Sequence, residues 1–216
     1  MKALHGSDVL EIKYGDRTIY FDPVGHTYHL DSMPLMSVTA YLKAAGYCHG
    51  WHGDGSAALF GRYKHEATAY EDMGDLNFET LNPELMAAVE LWRRFKQDED
   101  FVPDLETMER PCFHPIYLYA GTPDVPGTRK GKPCVVEKKF GQKERWHHLQ
   151  VGGGYTPMLA QHYPKYKNAE SLLVYMPKGA DKPEVVPVTD KKLPALFLSI
   201  TAVVNGRSIY GTNGRA

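Results

Sequence analysis

The hydrophobic period of this chain changes twice, and that change limits the folds open to it. Asn82-Pro83 starts a helix, with the cap followed by proline at the first helical position. Leu85, Val89, Trp92 and Phe95 then recur at i, i+4, i+7 and i+10, one apolar face that predicts a helix to about Lys96. Beyond it the period shortens. Segments Leu105–Glu109, Ile116–Ala120 and Cys134–Lys139 read as strands between Gly/Pro turns. A helical pattern returns from Trp146 to about Gln161. Strands fit Ser171–Met176 and Glu184–Val188, and Asp190 caps a last helix to about Val204. Helix, three strands, helix and strand make an α/β core.

Ahead of that core, Val9–Tyr14 and Thr18–Phe21 form a hairpin around Gly15-Asp16. Ser37 caps a short helix from Val38 to about Ala45, ended by Gly46, and Ser56 caps a longer one through about Glu71. We therefore expect one domain, 1–216, with a hairpin and helical part over 1–100 and the core over 101–216.

Composition narrows the function classes. Hydrophobic residues at 43% and charged residues at 24% exclude disorder and fibrous repeats. The longest apolar stretch, Leu193–Val204, is too short for a bilayer and is interrupted by Pro194, Ser199 and Thr201. No apolar run of signal-peptide type opens the chain, so we expect a soluble, cytoplasmic protein with no membrane partner. Cys48, Cys112 and Cys134 are too few and too scattered for a disulfide framework, a zinc site or an iron–sulfur cluster. The net charge of -1 means that a nucleic-acid partner would need a local patch. Residues 129–145 offer one, with seven Lys/Arg against two Glu; a solvated turn with charged flanks would carry the same count.

The chemistry gathers near that patch. Val135-Val136 marks a buried strand that runs directly into Glu137-Lys138-Lys139. Strand alternation puts Glu137 and Lys139 on one face and Lys138 on the other. An edge ion pair would account for them. Asp124, thirteen residues before Glu137, lies in the turn Gly121-Thr-Pro-Asp-Val-Pro-Gly127 and by itself would be a turn former. Two carboxylates converging with one lysine are what metal-assisted phosphodiester cleavage uses: hard oxygens for Mg²⁺ and an ammonium beside the attacking water.

Asp124 with Glu137-x-Lys139 resembles the PD-(D/E)XK nuclease superfamily, and Gly121-x-x-Asp124 is the more diagnostic form of its first motif. Gly61-Arg-Tyr-Lys-His65 upstream, and Gln150 and Tyr155 downstream, are similar to the RecB-like, phage-type exonuclease branch. So are His26-Thr-Tyr28 and Pro34–Thr39, and Glu109 stands where related sequences carry an acid. The likeness covers about residues 20–176. It implies a restriction-endonuclease-like core, a central mixed sheet flanked by helices. It implies Mg²⁺, with Mn²⁺ as substitute, held by His65, Asp124, Glu137 and the Lys138 carbonyl. Lys139 then handles the attacking water, while Gly61, Arg62, Lys138, Arg145, Gln150 and Tyr155 face the substrate. The implied partners are single- or double-stranded DNA, a recombinase or single-strand-binding protein, and further copies of the chain. The implied setting is the cytoplasm, the host's if the gene is a phage's.

One departure from that pattern stands out. Gln150 and Tyr155 are five residues apart, where the family spacing is four, and Gly152-Gly153-Gly154 between them weakens a helix by about 2–3 kcal/mol against alanines. Either the helix bulges there or Tyr155 is not the equivalent residue. A glycine at position 61 of a helix suggests close approach by another backbone or a DNA strand. Trp51, Phe60, Tyr63, Tyr70 and Trp146 are either stacking surfaces for unpaired bases or core, His147 and His148 either touch the nucleic acid or form a helix-start cluster, and Trp51-His52 would line an entrance. Three functions fit the pattern: a DNA exonuclease of recombination, repair or replication; a structure-selective endonuclease or resolvase; and a non-catalytic binding protein on a nuclease fold.

Overall fold

The computed structural model describes residues 8–48 and 55–210; Trp51 and His52 lie outside the described residues. The fold is mixed α/β, with two mixed sheets. In the first, β1 (Leu10–Tyr14), β2 (Arg17–Asp22), β3 (Thr27–Leu30) and β4 (Met33–Ser37) form an antiparallel meander. Strand β4 then pairs in parallel with β7 (Tyr119–Gly121), which pairs with β6 (Cys112–Phe113). The second sheet has the order β11 (Glu184–Val188), β10 (Glu170–Tyr175), β9 (Lys132–Lys139), β8 (Val125–Arg129), β5 (Phe101–Pro103). Only β9 and β10 run parallel there.

Local sequence explains most of the helices. Ser37 Oγ accepts from the Ala40 N–H and starts α1 (Val38–Ala44). Asn82 Oδ1 does the same for Leu85 at the head of α3 (Pro83–Asp98), whose Leu85, Val89, Trp92 and Phe95 are all buried. In α2 (Ser56–Met73) the cap is Gly55, in the left-handed region, so Ser56 is the first helical residue rather than its cap. Gly74, also left-handed, ends that helix two residues beyond the expected Glu71.

Three strand assignments change. Residues 105–109 are a turn, because Asp104 competes with the ladder. Its carbonyl accepts from Thr107 and Met108, and its carboxylate takes the Thr107 hydroxyl at 2.8 Å. The strand lies just before it, at β5. Residues 115–118 are likewise a turn, closed by the Leu118 N–H on the His114 carbonyl, in which His114 Nδ1 accepts from Ile116 and Tyr117. Conversely β8 exists despite Pro126 and Gly127, which read as turn residues. The Pro126 carbonyl accepts from Asp104, and Gly127 pairs with Cys134 and Pro103.

The second sheet is the middle of three layers. Cys134, Val136, Leu172 and Val174 pack against Ala69 of α2 and Leu91, Trp92 and Phe95 of α3. Val135, Leu173 and Tyr175 face the other way, onto the helices that follow β9. Those are α4 (Trp146–His148), a π-helical stretch Leu149–Tyr155, and α5 (Thr156–His162), with α6 (Leu193–Tyr210) behind them. The three glycines have a packing reason. A Cβ at Gly153 would lie 2.9 Å from the Leu193 carbonyl, and one at Gly154 would lie 2.6 Å from Val38 Cγ1. Glycine lets α6 and α1 close onto the widened helix. No described helix is long and apolar enough to cross a membrane.

The three cysteines are free and buried. His147 is buried too, with Nδ1 3.0 Å from the Tyr175 hydroxyl, which makes it a core residue rather than a surface for nucleic acid.

Candidate active site

Antiparallel register places Val125 opposite Val136, so the residue before Val125 lies beside Glu137. Asp124 is thereby brought to the end of β9. One of its oxygens, Oδ2, accepts from the Lys138 backbone N–H at 2.8 Å, and its own N–H points at Glu137 Oε2, 3.4 Å away. The other oxygen, Oδ1, lies 3.5 Å from His65 Nδ1. Glu109 donates its backbone N–H to the Asp124 carbonyl at 3.0 Å and holds its carboxylate 4.0 Å from the same imidazole nitrogen. Glu109 has φ +49°, a conformation that costs a residue with a Cβ about 1–3 kcal/mol and that clusters at functional sites.

His65, Glu109 and Asp124 each present a ligand atom within 4.8 Å of the others. Two of the atoms, His65 Nδ1 and Glu109 Oε1, are buried with no hydrogen-bond partner. Buried polar atoms of native proteins almost always have partners. A cation between these groups would satisfy both, and two carboxylates with one imidazole suit a small divalent ion. The residues present therefore fit a metal. Sequence reading gave Glu109 only an accessory place; its turn, folded back by Asp104, puts it in the tightest trio instead. Glu137 stands next to that trio.

Electrostatics point the same way. Burial lowers His65 to about 4, with Asp124 opposing and Lys138 and Lys139 adding to the shift, so the imidazole is neutral at physiological pH and free to ligate. Burial, then the Asp124 carboxylate, push Glu137 up to about 7. Glu109 is raised well above the carboxylate range by burial and by Asp124, against the pull of Lys138. A raised carboxylate keeps its proton until the pH exceeds its shifted value, and a metal must displace that proton. Mn²⁺ affinity should accordingly climb as the pH rises through the Glu137 value of about 7, with protons released on binding. Titration calorimetry in two buffers of different ionisation enthalpy measures that release; its absence near pH 7 would contradict the shared carboxylate site. His65, lowered, adds no dependence over this range.

On the opposite side of Glu137, Lys139 Nζ donates to Glu137 Oε1 at 3.0 Å and to Gln150 Oε1 at 2.8 Å, and lies 5.7 Å over the Trp146 ring. Gln150 Nε2 donates to Thr39 Oγ1 and, at 3.2 Å, to the Tyr155 hydroxyl. The five-residue spacing is resolved here. A π-helix closes i to i+5, so Gln150 and Tyr155 come to one face. Tyr155 also explains Gly121: a Cβ there would sit 2.6 Å from Tyr155 Cε1.

A cleft of about 440 Å³ opens over these groups. Arg62 is exposed and lines it. Gly61 has open space in front of it, so among the described residues no backbone makes the close approach expected there. Arg145 is exposed at the head of α4, away from the cleft lining.

Two charge expectations fail. Lys138 is no surface phosphate contact: its side chain is fully buried, donates to Thr68 Oγ1 at 3.0 Å, lies 3.6 Å from Glu109 Oε1 and sits over the Trp92 ring. Alternation on β9 that turns Glu137 and Lys139 to the cleft turns Lys138 into the α2–α3 layer. The basic segment is also not one surface. Arg129 and Lys130 pair with Glu99, at the far end of β9 from Lys139, about 20 Å of strand away. No family model matches the chain, and no curated protein matches it in sequence.

Proposed function

We propose that this chain is a Mg²⁺-dependent deoxyribonuclease of the PD-(D/E)XK type, with a restriction-endonuclease-like core, and that it acts on DNA ends. The observation that carries the reading is the meeting of His65, Glu109 and Asp124, two of them with buried atoms that lack a hydrogen bond, beside the Glu137–Lys139–Gln150 chain of hydrogen bonds. His65, Glu109 and Asp124 would hold the ion, with Glu137 adjacent and the Lys138 carbonyl added by the family resemblance. When bound, the ion would supply Lewis acidity and a lowered pKa of its water.

The protein's own groups do the rest. Glu137 and Gln150 fix the Lys139 ammonium from two sides, so its remaining N–H can orient the attacking water and face charge developing on the phosphate. Asp124 is rigid because the Lys138 N–H anchors one oxygen. Tyr155 and Thr39 hold the Gln150 amide so that its oxygen turns to Lys139. Arg62 at the cleft supplies a phosphate contact.

End-labelled linear DNA incubated with Mg²⁺ should shorten progressively from one end, stop when EDTA is added, and leave covalently closed circles intact. Cutting of closed circles would move the assignment to an endonuclease on the same site. Binding without cleavage under any divalent ion would overturn the nuclease reading.

A further inference from the structure

The wall of the cleft opposite the carboxylates has a different chemistry. It is built by the turn between β2 and β3, where Asp22 and Thr27 pair and residues 23–26 make the loop. Pro23, Val24 and His26 line the cleft, and Val24, at 74% exposure, is the most exposed large apolar side chain among the described residues. An isolated surface valine needs no explanation. This one sits on a braced turn. The Val24 N–H donates to Asp22 Oδ1 at 2.9 Å, and His26 takes φ +50°. Phe21 stacks on Tyr28 at 4.7 Å, and the His26 ring packs edge-on to both.

The brace reaches the metal loop. The Tyr28 hydroxyl bonds Thr122 Oγ1 at 2.9 Å, two residues before Asp124. Arg62 lines the same cleft, close enough to His26 to act on its charge. The cleft therefore combines a rigid apolar wall, a guanidinium and a carboxylate floor. A nucleotide has the matching parts, a flat apolar base face and an anionic phosphate. In an intact duplex each base face is covered by its neighbours, so only an unpaired or frayed nucleotide can offer one to the protein.

We propose that Pro23, Val24 and His26 form a nucleobase subsite, which holds the base of an unpaired nucleotide beside the scissile phosphate while Arg62 takes its phosphate. This rests on the nuclease reading and specifies its substrate as a strand with unstacked bases. It makes the β2–β3 turn the determinant of single-strand preference.

The test is binding, followed by fluorescence anisotropy with Ca²⁺ in place of Mg²⁺. The probes are a labelled oligothymidylate, the same strand with abasic residues, and a blunt duplex. The native protein should bind the abasic strand about 10-fold more weakly than the ordinary one, in line with a lost base contact. Val24→Ser should weaken the ordinary strand and leave the abasic strand unchanged. Val24→Phe should tighten the ordinary strand only. Both substitutions are on the surface, and thermal melting close to native confirms that the fold is kept.

Equal affinity of native protein for ordinary and abasic strands, or an equal loss on both in Val24→Ser, would overturn the subsite. Tighter binding of the blunt duplex than of the single strand would also overturn it. Because the readout needs no cleavage, base-dependent binding by a protein that never cuts DNA would sink the nuclease reading and leave the subsite standing.

Discussion

Lys139→Ala should keep the fold and lose DNA cleavage by about 10²- to 10⁴-fold, the range expected for removing a positioned proton donor or charge stabiliser. The ammonium is held between Glu137 Oε1 and Gln150 Oε1 at the cleft, so truncation removes the one lysine among the described lining residues. It also leaves the Glu137 oxygen without that partner, a loss of about 1–3 kcal/mol that a domain of ordinary stability tolerates. Steady-state cleavage of labelled DNA gives the rate, and Mn²⁺ titration gives the metal affinity. The expected pattern is a collapsed kcat with metal binding retained, since Lys139 donates to the site and ligates nothing. A variant that cuts at the native rate would remove Lys139 from its role.

The neighbouring lysine should behave in the opposite way. Lys138→Met is expected to cost about 1–3 kcal/mol of folding stability, the price of leaving the buried polar atoms around the ammonium without their donor. Lys138 Nζ has Thr68 Oγ1 at 3.0 Å, Glu109 Oε1 at 3.6 Å and the Trp92 ring below it, and its side chain is fully buried. Methionine keeps the volume but removes the cation that opposes the rise of Glu109, so burial, Asp124 and Glu137 then hold that carboxyl still more firmly in its protonated form. Urea denaturation measures the loss, read as a lower midpoint at unchanged slope. A shift below about 1 kcal/mol would mean that the buried ammonium is dispensable. Two adjacent lysines on one strand thus divide the work, one acting on rate and one on folding, because successive side chains of a strand point to opposite faces.

That alternation was legible in the sequence, and so was much around it. Asn82-Pro83 and Ser37 announced their helices because capping is local: the side chain bonds a backbone N–H three residues on. Strand β9 was legible from Val135-Val136, β10 from its apolar run Leu172–Tyr175 and β11 from its valines. The turns at 105–109 and 115–118 were not legible. There the deciding bonds come from Asp104 and His114, whose competition with a ladder no hydrophobic period records. Strand β8 was hidden by Pro126 and Gly127, residues with turn chemistry that here sit inside a pairing set by β5 and β9.

The site divides along the same line. Asp124, Glu137, Lys139 and Gln150 were singled out from order and spacing, and the structure brings them together. Glu109 was placed on a strand and given a minor part; its position beside His65 depends on the turn that Asp104 folds. Gln150 and Tyr155 pose a spacing problem that only the π-helix resolves, and its glycines lie so close to α1, α6 and β11 that Cβ atoms would not fit. The sequence by itself determined which side chains share a face along one element, since that follows from the repeat of strand or helix. Tertiary structure alone decided which elements meet: that Lys138 enters the core, that Glu109 joins His65 and Asp124, and that the basic residues of one segment part company. Those outcomes depend on contacts between residues far apart in the chain, where burial and charge are set by neighbours that no local pattern contains.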